Sequence, residues 1–322
     1  MRILLFLFLT AYAHVASSQE SPYIGKWNLT IDKDGNSLVS WLEVTKSGRN
    51  TLVGRFVYAF GSARPISEVK ISKDGGFSFT IPKQWEPGAG DLSFNGNMDA
   101  ENLKGEMTFT DGKKHPFTGT RAPKLASQGH TRQLFEKKLF NGTDLTGWKT
   151  GENSKWSVVG GVLTNPSAGA NLVSEETFQD FHLEISFRYN TGANSGIYLR
   201  GRYEVQVEDS YGKEPTDILF GGIYGFLTPN EMAALPAGEI QKMEITLIGR
   251  KVSIVANGKR IITNQIIPGI TGGALDNDEA ARGPIMIQGD HGPIEILEVK
   301  LTELELHEVD DSLKNGRESI KK

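Results

Sequence analysis

The stretch NSGIYLRGRYEVQVEDSYG, residues 194–212, sets polar side chains at alternate positions behind a glycine-containing entry. In an extended chain Glu204, Gln206 and Glu208 share one face, and Tyr203, Val205 and Val207 share the other. A carboxylate beside an amide could hold a polar molecule and move a proton; the same pattern also describes the wet side of an ordinary sheet. A second candidate for proton transfer is His291, in the turn Gly289-Asp290-His291-Gly292, because an unperturbed imidazole titrates near ~6.5. His182 and Glu184 share one strand face and, with Asp209 and His291, would suit a divalent ion if they gathered, although no ligand spacing requires one. The acidic LDNDEAARG, residues 275–283, lacks the ligand order of an EF-hand and reads as a solvated loop. Cysteine is absent, which excludes thiol catalysis, cysteine-ligated zinc and disulfide staples.

These residues must be positioned by strands. FHLEISFRYN puts Phe181, Leu183, Ile185 and Phe187 on one side against His182, Glu184, Ser186 and Arg188. KMEITLIGRKVSIVANGKRIIT reads as three strands, turning at Gly249-Arg250 and at Asn257-Gly258, a strong hairpin signal. GPIMIQGDHGPIEILEVKLTELEL supplies two more strands, while PNEMAALPAGE has room for one helical turn. Trp148 and Trp156 fit packing better than ligand stacking. The expectation is an antiparallel β-sandwich over 134–308.

Ahead of it, 19–121 breaks into short strands around turns such as Lys33-Asp34-Gly35 and Lys73-Asp74-Gly75, which argues for a smaller antiparallel barrel or sandwich. Trp27, Phe56, Phe77 and Phe79 belong in its core. Nothing in this domain announces a role. Residues 122–133, APKLASQGHTRQ, lose the alternation and read as a linker. At the N-terminus, Arg2, the apolar run Ile3–Ala13 and the small residues to Ser18 form a signal peptide over 1–18, cleaved between Ala13 and Gln19. That run is well short of the ~20 residues needed to span a bilayer, so a periplasmic or secreted protein without a transmembrane segment is expected. A polar tail occupies 309–322. The net charge of −4, with no long basic run, makes nucleic acid an unsuitable partner. Asn28 and Asn141 head N-x-T sequons. Oligomeric state is not encoded in any pattern here.

Five blocks in order carry a family resemblance: LFNGTDLTGW, NSGIYLRGRYEVQVEDSYG, GGIYG, the Asn-Gly hairpin and IQGDHGPIEILEVKL. Together they resemble the 3-keto-disaccharide hydrolase family, secreted bacterial jelly-roll domains of the concanavalin type, over about residues 134–307. The resemblance implies an exported, carbohydrate-active, all-β enzyme that cleaves 3-keto-glycosides. A ketone at C3 acidifies the C2 proton; a base removes it, the C1 substituent is eliminated, and water adds back. It further implies Glu204, His291 and Arg200 as catalytic groups, with Arg200 bracing the C3 oxygen. Asn194, Ser195, Gln206, Asp209, Tyr224 and Gln288 would contact the sugar. Relatives commonly continue the His-Gly block into a phenylalanine–arginine pair, where this chain has Ile296 and Leu297. Any task of that arginine must be met elsewhere.

Two other functions stay open on the residues: a lectin-like glycan-binding module, and an orthodox glycosidase. For the latter, Glu204 and Glu208 are a poor pair. Four residues of strand separate them by ~13 Å, whereas paired carboxyl groups in glycosidases stand ~5–9.5 Å apart.

Overall fold

The computed structural model describes residues 21–307, so the expected signal peptide and polar tail lie outside the described residues. Within them the protein is all-β, with antiparallel pairing throughout and no helix; PNEMAALPAGE is irregular. No described helix is therefore long and apolar enough to cross a membrane.

The N-terminal domain is one nine-stranded sheet. Its strands neighbour one another in chain order, except that the first, Gly25–Lys33, pairs with the last, Lys114–Arg121, and the consecutive Arg64–Ile66 and Lys70–Ile71 form the two ends of the sheet. The sheet curls so that Arg64–Ile66 returns against Phe77–Ile81, which gives a nearly closed barrel. Inside it Trp27, Phe56, Phe77 and Phe79 are all buried, and Phe79 stacks on Phe94 at 4.6 Å. Asn28 is also buried, its amide donating to the Asn277 carbonyl at 2.7 Å, so that sequon is inaccessible in the folded chain.

The C-terminal domain is a two-sheet sandwich. A five-stranded sheet runs Trp148–Thr150, Leu172–Phe178, Gly283–Ile287, Asn194–Leu199, Tyr203–Glu208, in spatial order. Facing it, an eight-stranded sheet has Asp180–Tyr189 and Ile294–His307 at its centre. Phe181, Leu183, Ile185 and Phe187 meet Tyr203, Val205 and Val207 in one core that also takes in Trp148 and Trp156. The Asn257-Gly258 turn has φ of 51° and 79°, the left-handed pair that a two-residue hairpin with the native twist requires.

One boundary differs from the sequence reading. A strand begins at His130, inside the expected 122–133 linker, and pairs with the end of Ile294–His307. Nearly every side chain on it is exposed. A strand covered on neither face carries no apolar alternation, so its sequence looks like a connector.

The two domains are welded rather than tethered. Trp41, from the N-terminal sheet, is fully buried in the core of the sandwich and meets Phe226 edge-on at 5.3 Å. Gly269 lies against the Trp41 indole so tightly that a Cβ there would fall 2.1 Å from Nε1. The acidic loop 275–283 also joins the domains. Asn277 donates to the Leu29 carbonyl, and Glu279 is wholly buried against Arg250, itself bonded to the Pro123 carbonyl. Asp276 accepts from Arg202 at 2.6 Å. The loop's anchoring residues are thus committed to protein partners, and the loop is structural.

Candidate active site

The strand Tyr203–Glu208 is buried on both faces over most of its length. Glu204 is 4% exposed and Gln206 3%, while Tyr203 and Val205 on the opposite face are fully buried. Glu204 and Gln206 form the floor of a cleft of about 590 Å³ at the junction of the two domains. The neighbouring strand brings Asn194 and Tyr198 to the same face, because Tyr198 pairs with Glu204 and Gly196 with Gln206. Gln288, Asp290 and His291 form one flank, following the strand Gly283–Ile287; Tyr224 forms the other, its backbone N–H bonded to the Glu204 carbonyl at 3.1 Å. Gly196 is required by this packing: a Cβ there would stand 2.3 Å from Glu204 Oε1.

Glu204 sets the electrostatics. Burial pushes its carboxyl up to about 8, against the pull of the Tyr198 hydrogen bond and of nearby His291. Among the described residues no arginine or lysine lines the cleft, and His291 is the one lining group able to carry positive charge. The Asp290 carboxylate, 2.7 Å from His291 Nδ1, raises that imidazole above its usual range. Burial likewise lifts Tyr224 to about 12, so its hydroxyl keeps its proton.

The Tyr198 hydroxyl lies 2.9 Å from both Glu204 Oε2 and the Gly272 carbonyl, yet it has one proton. The two protonation states of Glu204 resolve the conflict. Protonated, Glu204 donates to the Tyr198 oxygen and Tyr198 donates to Gly272. Ionised, Glu204 accepts from Tyr198 instead. The pair is built to hold a carboxyl that gains and loses a proton.

Two residues lining the cleft carry buried amide oxygens without protein partners, Gln206 Oε1 and Gln288 Oε1. Gln206 is fixed by donating its amide to the Ile218 carbonyl at 3.2 Å. A buried carbonyl oxygen left open in this way is offset by a ligand that donates, such as a hydroxyl group.

Six expected site residues therefore converge on one cleft: Glu204, Gln206, His291, Asn194, Tyr224 and Gln288. Three do not. Arg200 has φ of 54°, and this left-handed residue breaks the strand alternation. Its side chain goes to the Tyr203 face, fully buried, donating to the Gly249 carbonyl and the Tyr203 hydroxyl. It cannot brace a sugar oxygen from there. Ser195 is turned away from the cleft and donates to the Gln288 carbonyl at 2.8 Å, so it positions the flank rather than the ligand. Asp209 accepts from the Gly192 backbone in a surface loop. Nor do the suggested metal ligands gather. His182 is bonded to Thr246 on the other sheet, and among the described residues no three acidic or imidazole groups cluster for a metal. Tyr198, Asp290, Phe60 and Trp85 line the cleft without having been singled out from the sequence. Tyr198 was legible by parity with Asn194. Trp85 stands among turn-forming residues in KQWEPGAG, a poor place to bury an indole.

Comparison with known proteins gives a family. Residues 136–302, just over half of the 322, match the 3-keto-alpha-glucoside-1,2-lyase-like domain. The chain belongs to this family. The lyase-like domain thus coincides with the sandwich and contributes all of the cleft except Phe60, Gly61 and Trp85. Membership makes the protein a carbohydrate-active enzyme acting on glycosides. No curated protein matches the chain. Solved structures similar to it include two predicted glycosyl hydrolases from Parabacteroides distasonis. The first is 23% identical with a TM-score of 0.45, the alignment covering 56% of this chain and 94% of that one. The second is 21% identical with a TM-score of 0.45, covering 53% and 94%. SCLam, a non-specific endo-beta-1,3(4)-glucanase from family GH16, is 10% identical with a TM-score of 0.35, covering 57% and 94%.

Proposed function

We propose that this protein is an exported enzyme that cleaves 3-keto-glycosides by elimination and rehydration, with Glu204 as the base. The observation that carries this reading is a carboxyl buried without an arginine or lysine beside it, on the floor of a cleft lined by two glutamines whose amide oxygens have no protein partner. Removing a proton from carbon needs a stronger base than an ordinary carboxylate. A group titrating near about 8 is stronger, and still ionises near neutral pH. In the first step Glu204 takes the C2 proton, and the C2–H electrons form the enolate, with charge on the C3 oxygen. In the second the C3 carbonyl re-forms, a C1–C2 double bond appears and the C1–O bond breaks. His291, the one cationic group in the cleft, gives its proton to the departing oxygen. Water then adds across the double bond, hydroxyl to C1 and proton to C2, so the net change is hydrolysis. Gln206 and Gln288 accept from ring hydroxyls and fix C2 above the carboxylate.

The test offers a 3-keto-disaccharide and its unoxidised parent to the full chain in deuterated water. Cleavage of the keto sugar alone, with deuterium at C2 of the product, is the expected result. Equal cleavage of both sugars would identify an orthodox glycosidase; binding without turnover would identify a lectin.

Tyr198→Phe gives a sharper check on the base. Losing the donor to the anion raises the Glu204 carboxyl further, so the rising limb of the pH–rate profile moves to higher pH. Activity at pH 7 falls about tenfold and recovers only in part as pH rises, because His291 then loses the proton it gives the leaving oxygen. An unmoved profile would mean that Glu204 is not the titrating base.

A further inference from the structure

The cleft extends past Glu204 onto the N-terminal domain. From Tyr198 the wall continues through Gly272, whose carbonyl faces the Tyr198 hydroxyl, to Gly61, packed so closely that a Cβ on Gly272 would lie 2.3 Å from the Gly61 carbonyl oxygen. Gly61 in turn abuts the indole of Trp85, and Phe60 precedes it. The polar end, with Asn194 and Gln206, and the aromatic end therefore lie on opposite sides of Glu204 along the strands.

Phe60 is 42% exposed and Trp85 69%, unusual for large apolar side chains facing a cleft. The backbone that presents Trp85 is nevertheless fixed. Arg64 and Glu86 form a buried ion pair at 2.8 Å, and the free oxygen of Glu86 accepts the N–H groups of Gln84 and Trp85. Gln84 is tied by both ends of its amide to Ser62. An indole left open on a preorganised turn is what a flat apolar ligand face requires, since little freedom is lost on binding.

We infer that Phe60 and Trp85 form a second sugar site, an aromatic platform that stacks on the pyranose ring of the leaving group. The inference rests on the proposed reaction only for its direction: the reacting ring takes the amide-rich end, so the leaving ring takes the aromatic end. It gives the N-terminal domain a task, selection of disaccharides over glycosides with small leaving groups.

The test uses the full chain and two unoxidised ligands that the proposed reaction cannot consume, an α-linked glucose disaccharide and methyl α-glucoside, titrated by calorimetry. Wild type is expected to bind the disaccharide about tenfold more tightly than the methyl glycoside. Trp85→Ala removes that margin and leaves methyl glycoside affinity within twofold; Phe60→Ala reduces it in part. Both side chains are exposed, so melting temperatures hold. Equal affinities in wild type, a margin that survives Trp85→Ala, or no binding of either ligand would overturn the platform. Turnover of the 3-keto-disaccharide is measured alongside. A platform without turnover sinks the proposed reaction alone; turnover with no margin sinks the platform alone.

Discussion

Glu204→Gln lowers kcat on a 3-keto-disaccharide about a thousandfold, the range for loss of a positioned base, while KM changes by no more than about threefold. The amide keeps the size of the carboxyl and its hydrogen bond to Tyr198, so the cleft and its open acceptors survive. The same substitution has a signature in folding. In the unfolded chain this carboxyl releases its proton near 4.5, whereas in the folded protein it holds it to about 8. Between those values the unfolded state binds fewer protons. The carboxyl therefore favours the fold fully below 4.5, and that contribution is lost as pH rises through 8, at up to about 1.4 kcal/mol per pH unit. The raised His291 imidazole acts in the same direction, so the informative quantity is wild type minus variant. Denaturant melts from pH 4.5 to 8.5 should give Glu204→Gln the flatter stability profile. Parallel profiles would mean that the carboxyl is solvated; undiminished turnover would place the base elsewhere.

Strand alternation made most of the sandwich legible. The parity that put Phe181, Leu183, Ile185 and Phe187 together in the sequence is the parity that builds the core. It also grouped Glu204 with Gln206. What it could not reveal was that their side of the sheet is covered, because the cover comes from loops 218–227 and 271–273 and from another domain. Arg200 failed for a local reason. Strand parity would have placed it beside Tyr198, but a left-handed residue at the turn reverses its direction. Phe60 and Trp85 failed for a distant one. Their relation to Glu204 exists through contacts such as that of Gly61 with Gly272, more than 200 residues apart, and no local pattern records such a contact.

That contact depends on Trp41. Its indole is the largest side chain that the N-terminal sheet buries in the sandwich core, held between Phe226 and the bare backbone of Gly269. Trp41→Ala leaves a cavity that this glycine, with no side chain, cannot fill. The expected cost is about 3–5 kcal/mol, at the upper end for a single substitution. A shared core predicts one cooperative unfolding transition for wild type, and loss of Trp41 predicts two, since each domain retains a cluster of its own. The functional consequence follows from the position of the cut. Glu204, Gln206 and Gln288 all belong to the sandwich and keep their geometry, so cleavage of a keto-glycoside with a methyl leaving group persists in the folded fraction. Phe60 and Trp85 belong to the barrel, and once it is loosened the preference for disaccharides disappears. Calorimetric scans with kinetics on the two substrates decide the matter. A single transition within about 1 kcal/mol of wild type would mean that the barrel is held by other contacts. The arginine–carbonyl bond from Arg250 to Pro123 and the asparagine pair Asn28–Asn277 would then be the residues to remove.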